Sequence, residues 1–250
     1  MLGTIIQARM GSSRLPGKVM MKVNNDDTVL SFLAKQLSYS KHMKKIVIAT
    51  TEQEGDDIIA RSAKDMGIEC FRGNRLDVLD RYYQCAKKFN FSTIIRITAD
   101  CPLIDPHIVD LVIEKFKDSG YDYITNSLIR TYPYGTEVEI FSFNTLETAW
   151  NNAKKLSERE HVTPYIYNNK HIFRIFNIEY PRNISHLSWT VDRSNDLKLV
   201  QSIILKIDKR PILLEDILDL IKKEPDLTDI NKDRIPNEGY LKSLVEDKSD

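Results

Sequence analysis

Cysteine is scarce in this 250-residue chain, and its three copies, Cys70, Cys85 and Cys101, stand far apart. An odd number at such intervals fits neither a disulfide framework nor a zinc pattern, and it suits a reducing compartment. His42, His107, His171 and His186 likewise share no metal-ligand spacing. An excess of one charge is also lacking, since 36 Lys and Arg balance 36 Asp and Glu. Bulk electrostatic binding of nucleic acid is therefore not expected, although a local basic site stays open. No run approaches the roughly 20 apolar residues of a membrane span. The N-terminal apolar stretch is short and meets Arg9 at once, unlike a signal peptide. These absences lead to the expectation of a cytoplasmic protein that contacts no nucleic acid and no membrane. No Gly/Ser or Pro-rich linker and no internal repeat divides the chain.

What is present is the balance of a globular protein, 42% hydrophobic and 29% charged, enough to bury a core. The first half alternates β-rich and amphipathic runs. Strands are expected over 2–8, 45–50, 68–71 and 92–98, and helices over 28–40, 55–66, 76–89 and 106–118. That rhythm predicts an α/β fold, a parallel sheet with helices on both faces. After Asp122 it changes: strands are expected over 135–141, 172–178 and 186–191, and helices over 145–156, 197–207 and 213–222. The organisation read from this is one domain over 1–225 with an inserted sub-lobe over about 127–185, then a polar, loosely held tail over 226–250.

Ligands of open α/β sheets bind beyond the carboxyl ends of the strands, which directs attention to the loops after Ala8, Thr50, Phe71 and Thr98. The first, Gln7 to Lys18, combines Gly11, Gly17, Ser12, Ser13, Arg9, Arg14 and Lys18, and the first 25 residues contain no carboxylate. Glycines admit backbone N–H groups to an anion, hydroxyls donate, and guanidinium forks grip phosphate oxygens in pairs. A polyphosphate needs that many donors. The loop is not a P-loop, because five residues separate Gly11 from Gly17 and Val19 stands where Ser or Thr would hold magnesium. No G-x-G-x-x-G dinucleotide fingerprint occurs either.

The run IIQARMGSSRLPGKV resembles the signature loop of spore-coat-polysaccharide-type cytidylyltransferases, relatives of the CMP-KDO and CMP-sialic acid synthetases. The resemblance implies a three-layer, Rossmann-like nucleotidyltransferase fold with a mostly parallel sheet and an inserted sub-lobe. It implies an Mg²⁺-dependent enzyme that couples CTP to a sugar, acidic in the known relatives, with release of pyrophosphate, and that dimerises through the sub-lobe. Arg9, Ser12, Ser13, Arg14 and Lys18 would then hold the triphosphate, with Ala8 and Gly11 shaping the loop.

Two acids follow strands. Asp100, in T-A-D-C-P-L, can hold Mg²⁺ against phosphate, while Asp105 before Pro106 is the better placed helix cap. The resemblance assigns Asp100 and Asp192 to the metal and leaves Asp196 as a first-turn structural acid. Gly73, Asn74 and Asp77 match the nucleoside side, with Thr50 and Thr51 bordering the base, and Asp77 with Arg81 reads as an i,i+4 pair. Glu137 and Glu139 share one strand face, as sugar or metal ligands or as a solvated edge. Asn126, Arg159 and His161 match the acceptor side. Two other classes stay open, a glycosyltransferase using a preformed nucleotide-sugar and a non-catalytic nucleotide-binding protein. The first commonly carries an Asp-x-Asp pair, which Asp100-Cys101-Pro102 is not.

Overall fold

A computed structural model describes residues 1–248. The first half follows the expected alternation: β1 (Leu2–Gln7), α1 (Val29–Ser38), β2 (Ile46–Thr51), α2 (Asp57–Asp65), β3 (Glu69–Gly73), α3 (Val78–Lys88), β4 (Thr93–Thr98) and α4 (Pro106–Phe116). The second half contributes β5 (Tyr123–Thr125), β6 (Glu139–Ser142), α5 (Phe143–Asn152), α6 (Leu156–His161), α7 (Pro164–Asn168), β7 (Ile175–Asn177), α8 (Ser194–Lys206), α9 (Leu214–Lys223) and α10 (Glu238–Glu246).

The seven strands form one sheet in the order β3-β2-β1-β4-β6-β5-β7, in which only β6 runs antiparallel to its neighbours. Because β1 pairs in parallel with both β2 and β4, Gln7 lies beside Ala49 and Thr98, and the loops leaving these strands emerge at one edge. Alternation along β1 separates two cores. Ile6 faces α1, α2, α4, α8 and α9, whereas Ile5 faces α3, α5 and the Val162–Ile166 region. Leu30, Leu33 and Leu37 of α1 are fully buried, each worth about 1.5–3 kcal/mol of transfer free energy. Gly3 is required by close approach, since a Cβ there would lie 2.3 Å from the Phe91 ring.

Local signals explain the helix starts. Thr28 and Ser31 form a reciprocal capping box on α1, and Asp77 caps α3 by accepting from Asp80 N at 2.9 Å. Asp105 caps α4 through His107 N at 2.7 Å, ahead of Pro106, as expected.

The second half departs from expectation in several places. Residues 135–141 pair only from Glu139 onward, and 186–191 form an isolated bridge, Ser188 to Tyr134, rather than a strand. The three-residue β5 was not anticipated, nor were α6 and α7. Nor is the tail loose: Pro225–Asn231 forms a 3-10 turn, and α10 packs against α6. Ser249 and Asp250, the last residues of the expected tail, lie outside the described residues.

Candidate active site

Beyond the carboxyl edge of β1 and β4 opens a cleft of about 840 Å³, within the range of small-molecule sites. Its first wall is the loop after β1. Asp56 Oδ1 anchors Met10 N at 2.7 Å, and Ser12 N and Gly17 N both donate to Met10 O at 2.9 Å, so the loop folds back on itself. Gly17 adopts φ 74°, a conformation that favours glycine, and turns the chain into the short helical turn Lys18–Met20. Arg9, Ser12, Ser13, Arg14 and Lys18 consequently all line the cleft.

The two aspartates meet there despite their separation in sequence. Val191 N donates to Asp100 O at 2.8 Å, which sets the segment before α8 alongside the end of β4. Lys18 Nζ then lies 2.7 Å from Asp100 Oδ2 and 2.8 Å from Asp192 Oδ1, and Arg14 Nη2 donates to Asp192 Oδ1 at 2.6 Å. Burial works to raise the Asp100 carboxyl, but the Lys18 ammonium outweighs it and holds the group below the usual carboxylate range. Burial likewise works against the charge on Lys18, and Asp100 with Asp192 overcomes it, so the ammonium is held above its usual range. Asp196 is buried and accepts from Asp192 N and Arg193 N, a structural acid that shapes the turn.

Among the described residues no three Asp, Glu, His or Cys side chains gather as a metal site. Two carboxylates converging on one cation nonetheless fit Mg²⁺, which commonly takes one or two carboxylates and completes its shell with water and substrate phosphate.

The other expected residues divide. Glu137, Glu139 and His161 line the cleft with Ala8. Neither glutamate is a solvated edge: Glu137 pairs with Arg130 at 2.6 Å and accepts from Gly135 N, while buried Glu139 binds Arg96, Tyr123 Oη and Thr163 Oγ1. His161 Nε2 lies 3.0 Å from Ser243 Oγ. Burial pushes its imidazole down to about 4, against an opposing pull from Glu160.

Gly11, Thr50, Gly73, Asn74, Asp77, Asn126 and Arg159 lie off the cleft wall. Alternation along β2 sends Thr50 to the face opposite α3, and Thr51 is tied to Asp56. Asn126 is buried between Thr136 O and Val138 N, 2.8 and 2.9 Å away, where it staples β5 to the approach of β6. Asp77 does not pair with Arg81: its carboxylate binds the guanidinium of Arg159, which also donates to Trp150 O.

Arg81 therefore has no carboxylate partner among the described residues. It is 1% exposed, lines the cleft, donates to Asn74 O at 2.9 Å and leaves Nε unused. Gln7, on the same wall, leaves Oε1 without a donor. Sequence reading assigned Arg81 only the pair with Asp77, and Gln7 only a place at the start of the loop. The available signal for Arg81 was a charge within the apolar stripe of Val78, Tyr82 and Cys85. Also missed were Arg130 and Arg234, whose guanidinium carbons lie 3.8 and 4.4 Å from the Tyr134 ring centre, and Glu238 at the start of α10.

A cationic loop at the carboxyl edge of a mostly parallel sheet, facing paired acids, is the arrangement that the family resemblance implies. Sequence comparison agrees: the cytidylyltransferase family model matches residues 4–230, and the chain belongs to that family. Spore coat polysaccharide biosynthesis protein SpsF of Bacillus subtilis (strain 168) is 32% identical over 229 residues, 89% of this chain and 94% of its own. A cytidylyltransferase structure from Leptospira borgpetersenii serovar Hardjo-bovis (strain JB197) superposes with a TM-score of 0.87 at 36% identity, covering 91% of this chain and 96% of that one. CMP:2-keto-3-deoxy-manno-octonic acid synthetase complexed with CTP shares the fold, with a TM-score of 0.62 at 15% identity over 82% of this chain and 98% of that one. No helix among the described residues is long and apolar enough to cross a membrane.

Proposed function

We propose that the protein joins CTP to an acidic sugar, forming a CMP-sugar and pyrophosphate for surface polysaccharide or glycoconjugate synthesis. The observation that carries this reading is the convergence of Asp100 and Asp192 on Lys18, beside Arg14 of the cationic loop. A sugar oxygen attacks the α-phosphorus as the bond to the β-phosphate oxygen breaks, and where that oxygen is a hydroxyl its proton passes to solvent. Arg9, Arg14 and Lys18 hold the departing pyrophosphate, and their charge is already oriented before the oxygens become more negative. Asp100 and Asp192 would hold Mg²⁺, which when bound supplies further charge stabilisation at the phosphates.

The free donor of Arg81 and the free acceptor of Gln7 suit the polar edge of cytosine, which presents an acceptor at N3 or O2 and a donor at N4. Arg234, half-buried beside Arg130 and without a carboxylate partner among the described residues, suits an anionic group on the sugar. The homodimer that the family resemblance implies would be tested by sedimentation.

Pyrophosphate release from each of the four nucleoside triphosphates, with Mg²⁺ and a panel of acidic and neutral sugars, tests the reading. Release that needs both CTP and an acidic sugar is expected. Sugar transfer from a preformed nucleotide-sugar, without pyrophosphate, would sink it in favour of a glycosyltransferase.

A further inference from the structure

The chain continues past the last residue matched by the family model and brings a carboxylate of its own to the phosphate loop. After the 3-10 turn it crosses the cleft mouth and enters α10 through Asn237, at φ 55°. Asn tolerates this left-handed geometry better than most residues. Glu238 follows, its two oxygens each 2.9 Å from Arg193 Nη2, and Oε2 lies 3.8 Å from Arg14 Nε. Arg14 Nε is buried and makes no hydrogen bond, so the carboxylate stands beside an unused donor of the loop.

Further along α10, Ser243 Oγ donates to Glu160 Oε2 at 2.7 Å, and Glu160 Oε1 faces Arg9 at 3.5 Å. Tyr240 meets the His161 ring edge-on, and Asp247 accepts from Ser157 N and Oγ at 2.9 and 2.5 Å. The segment thus reaches Arg14 directly and Arg9 through Glu160. Little apolar burial holds it in place: Leu241 and Val245 are more than half exposed, and Ser243 is the one buried residue of α10.

We propose that residues 237–248 form a self-bound strap, that Glu238 stands in for a nucleotide phosphate at Arg14, and that the incoming triphosphate displaces it. The proposal rests on the triphosphate reading of the loop. A partly exposed carboxylate–guanidinium pair contributes little in water. A triphosphate offers several charged oxygens to the same guanidinium forks, so the exchange runs toward nucleotide. The strap then acts as an internal competitor that sets the nucleotide concentration at which the cleft opens.

Hydrogen–deuterium exchange of the full chain, with and without CTP, tests displacement, and calorimetry of CTP binding tests competition. Exchange over 238–246 should rise when CTP binds. E238Q, which keeps the shape but removes the charge, should bind CTP about two- to fivefold more tightly. A chain ending at Pro236, which keeps Arg234, should also bind more tightly. Protection of 238–246 by CTP, or unchanged affinity in both variants, would overturn the strap as a competitor. CTP binding that depends on Arg14 but not on Glu238 would sink the strap alone. Failure of CTP to bind the wild-type, E238Q and truncated chains would remove the loop reading and the strap with it.

Discussion

A single ammonium, Lys18 Nζ, pairs with Asp100 and Asp192 together, at 2.7 and 2.8 Å. These carboxylates reach the cleft from the end of β4 and from the turn before α8, so the lysine joins segments that no local interaction brings together. Its side chain is 10% exposed, which makes the charge costly unless both partners stay.

Lys18→Met should therefore destabilise the fold by about 3 kcal/mol, because it leaves buried Asp100 without its counter-ion and Asp192 with Arg14 alone. Thermal unfolding with and without Mg²⁺ checks this. The variant should gain more melting temperature from the ion than the wild type does, since a divalent cation can take over the lost charge.

Asp100→Asn should lower pyrophosphate release by at least about 100-fold, the scale of losing one preorganised charge at a transition state. Lys18 retains Asp192, so the variant should still fold. Asp105→Ala separates cap from site: it removes the bonds to His107 N and Leu214 N and should cost about 1 kcal/mol or more of stability. Activity of that folded variant should change little. Loss of turnover in Asp105→Ala equal to that in Asp100→Asn would contradict the assignment.

Arg81→Met should have opposite effects on stability and binding. The guanidinium is buried without a counter-ion, so an apolar side chain of similar length should leave stability unchanged or raise it by about 1 kcal/mol. CTP affinity should fall about tenfold or more, as for loss of a buried charged hydrogen bond. Chemical denaturation beside nucleotide titration would show the contrast.

His161 fixes a pH response. Burial pushes its imidazole down to about 4 from an ordinary 6.5, so between those values the unfolded chain binds more protons. Stability should be fully kept above about pH 6.5 and fall as pH drops toward 4, by at most about 1.4 kcal/mol per unit. Denaturant midpoints measured across this window should decline less steeply for His161→Asn.

The central strands and the phosphate loop were legible because long-range structure hardly alters them. Buried parallel strands such as 2–8 and 92–98 advertise themselves through continuous β-branched runs, and caps such as Asp105 sit beside the helices they start. β5, three residues long, is too short to carry a period, whereas β7 falls inside the strand expected over 172–178 but fills only three of its residues. α10 escaped notice because ion pairs and hydrogen bonds, rather than an apolar stripe, hold it. Arg81 misled for a related reason: i,i+4 spacing allows a pair with Asp77, but Arg159 takes that carboxylate from a segment 82 residues away.

By itself the amino-acid order determined the α/β layering, the cationic loop at the end of β1 and the acids that terminate other segments, since periodicity, capping and loop chemistry are local. Tertiary structure alone decided that Asp100 and Asp192 share Lys18, that Arg81 is buried without a counter-charge, and that the C-terminal helix lies over the cleft. Each of these depends on which distant groups desolvate one another, and the energy of a charge is set by that enclosure rather than by its neighbours along the chain.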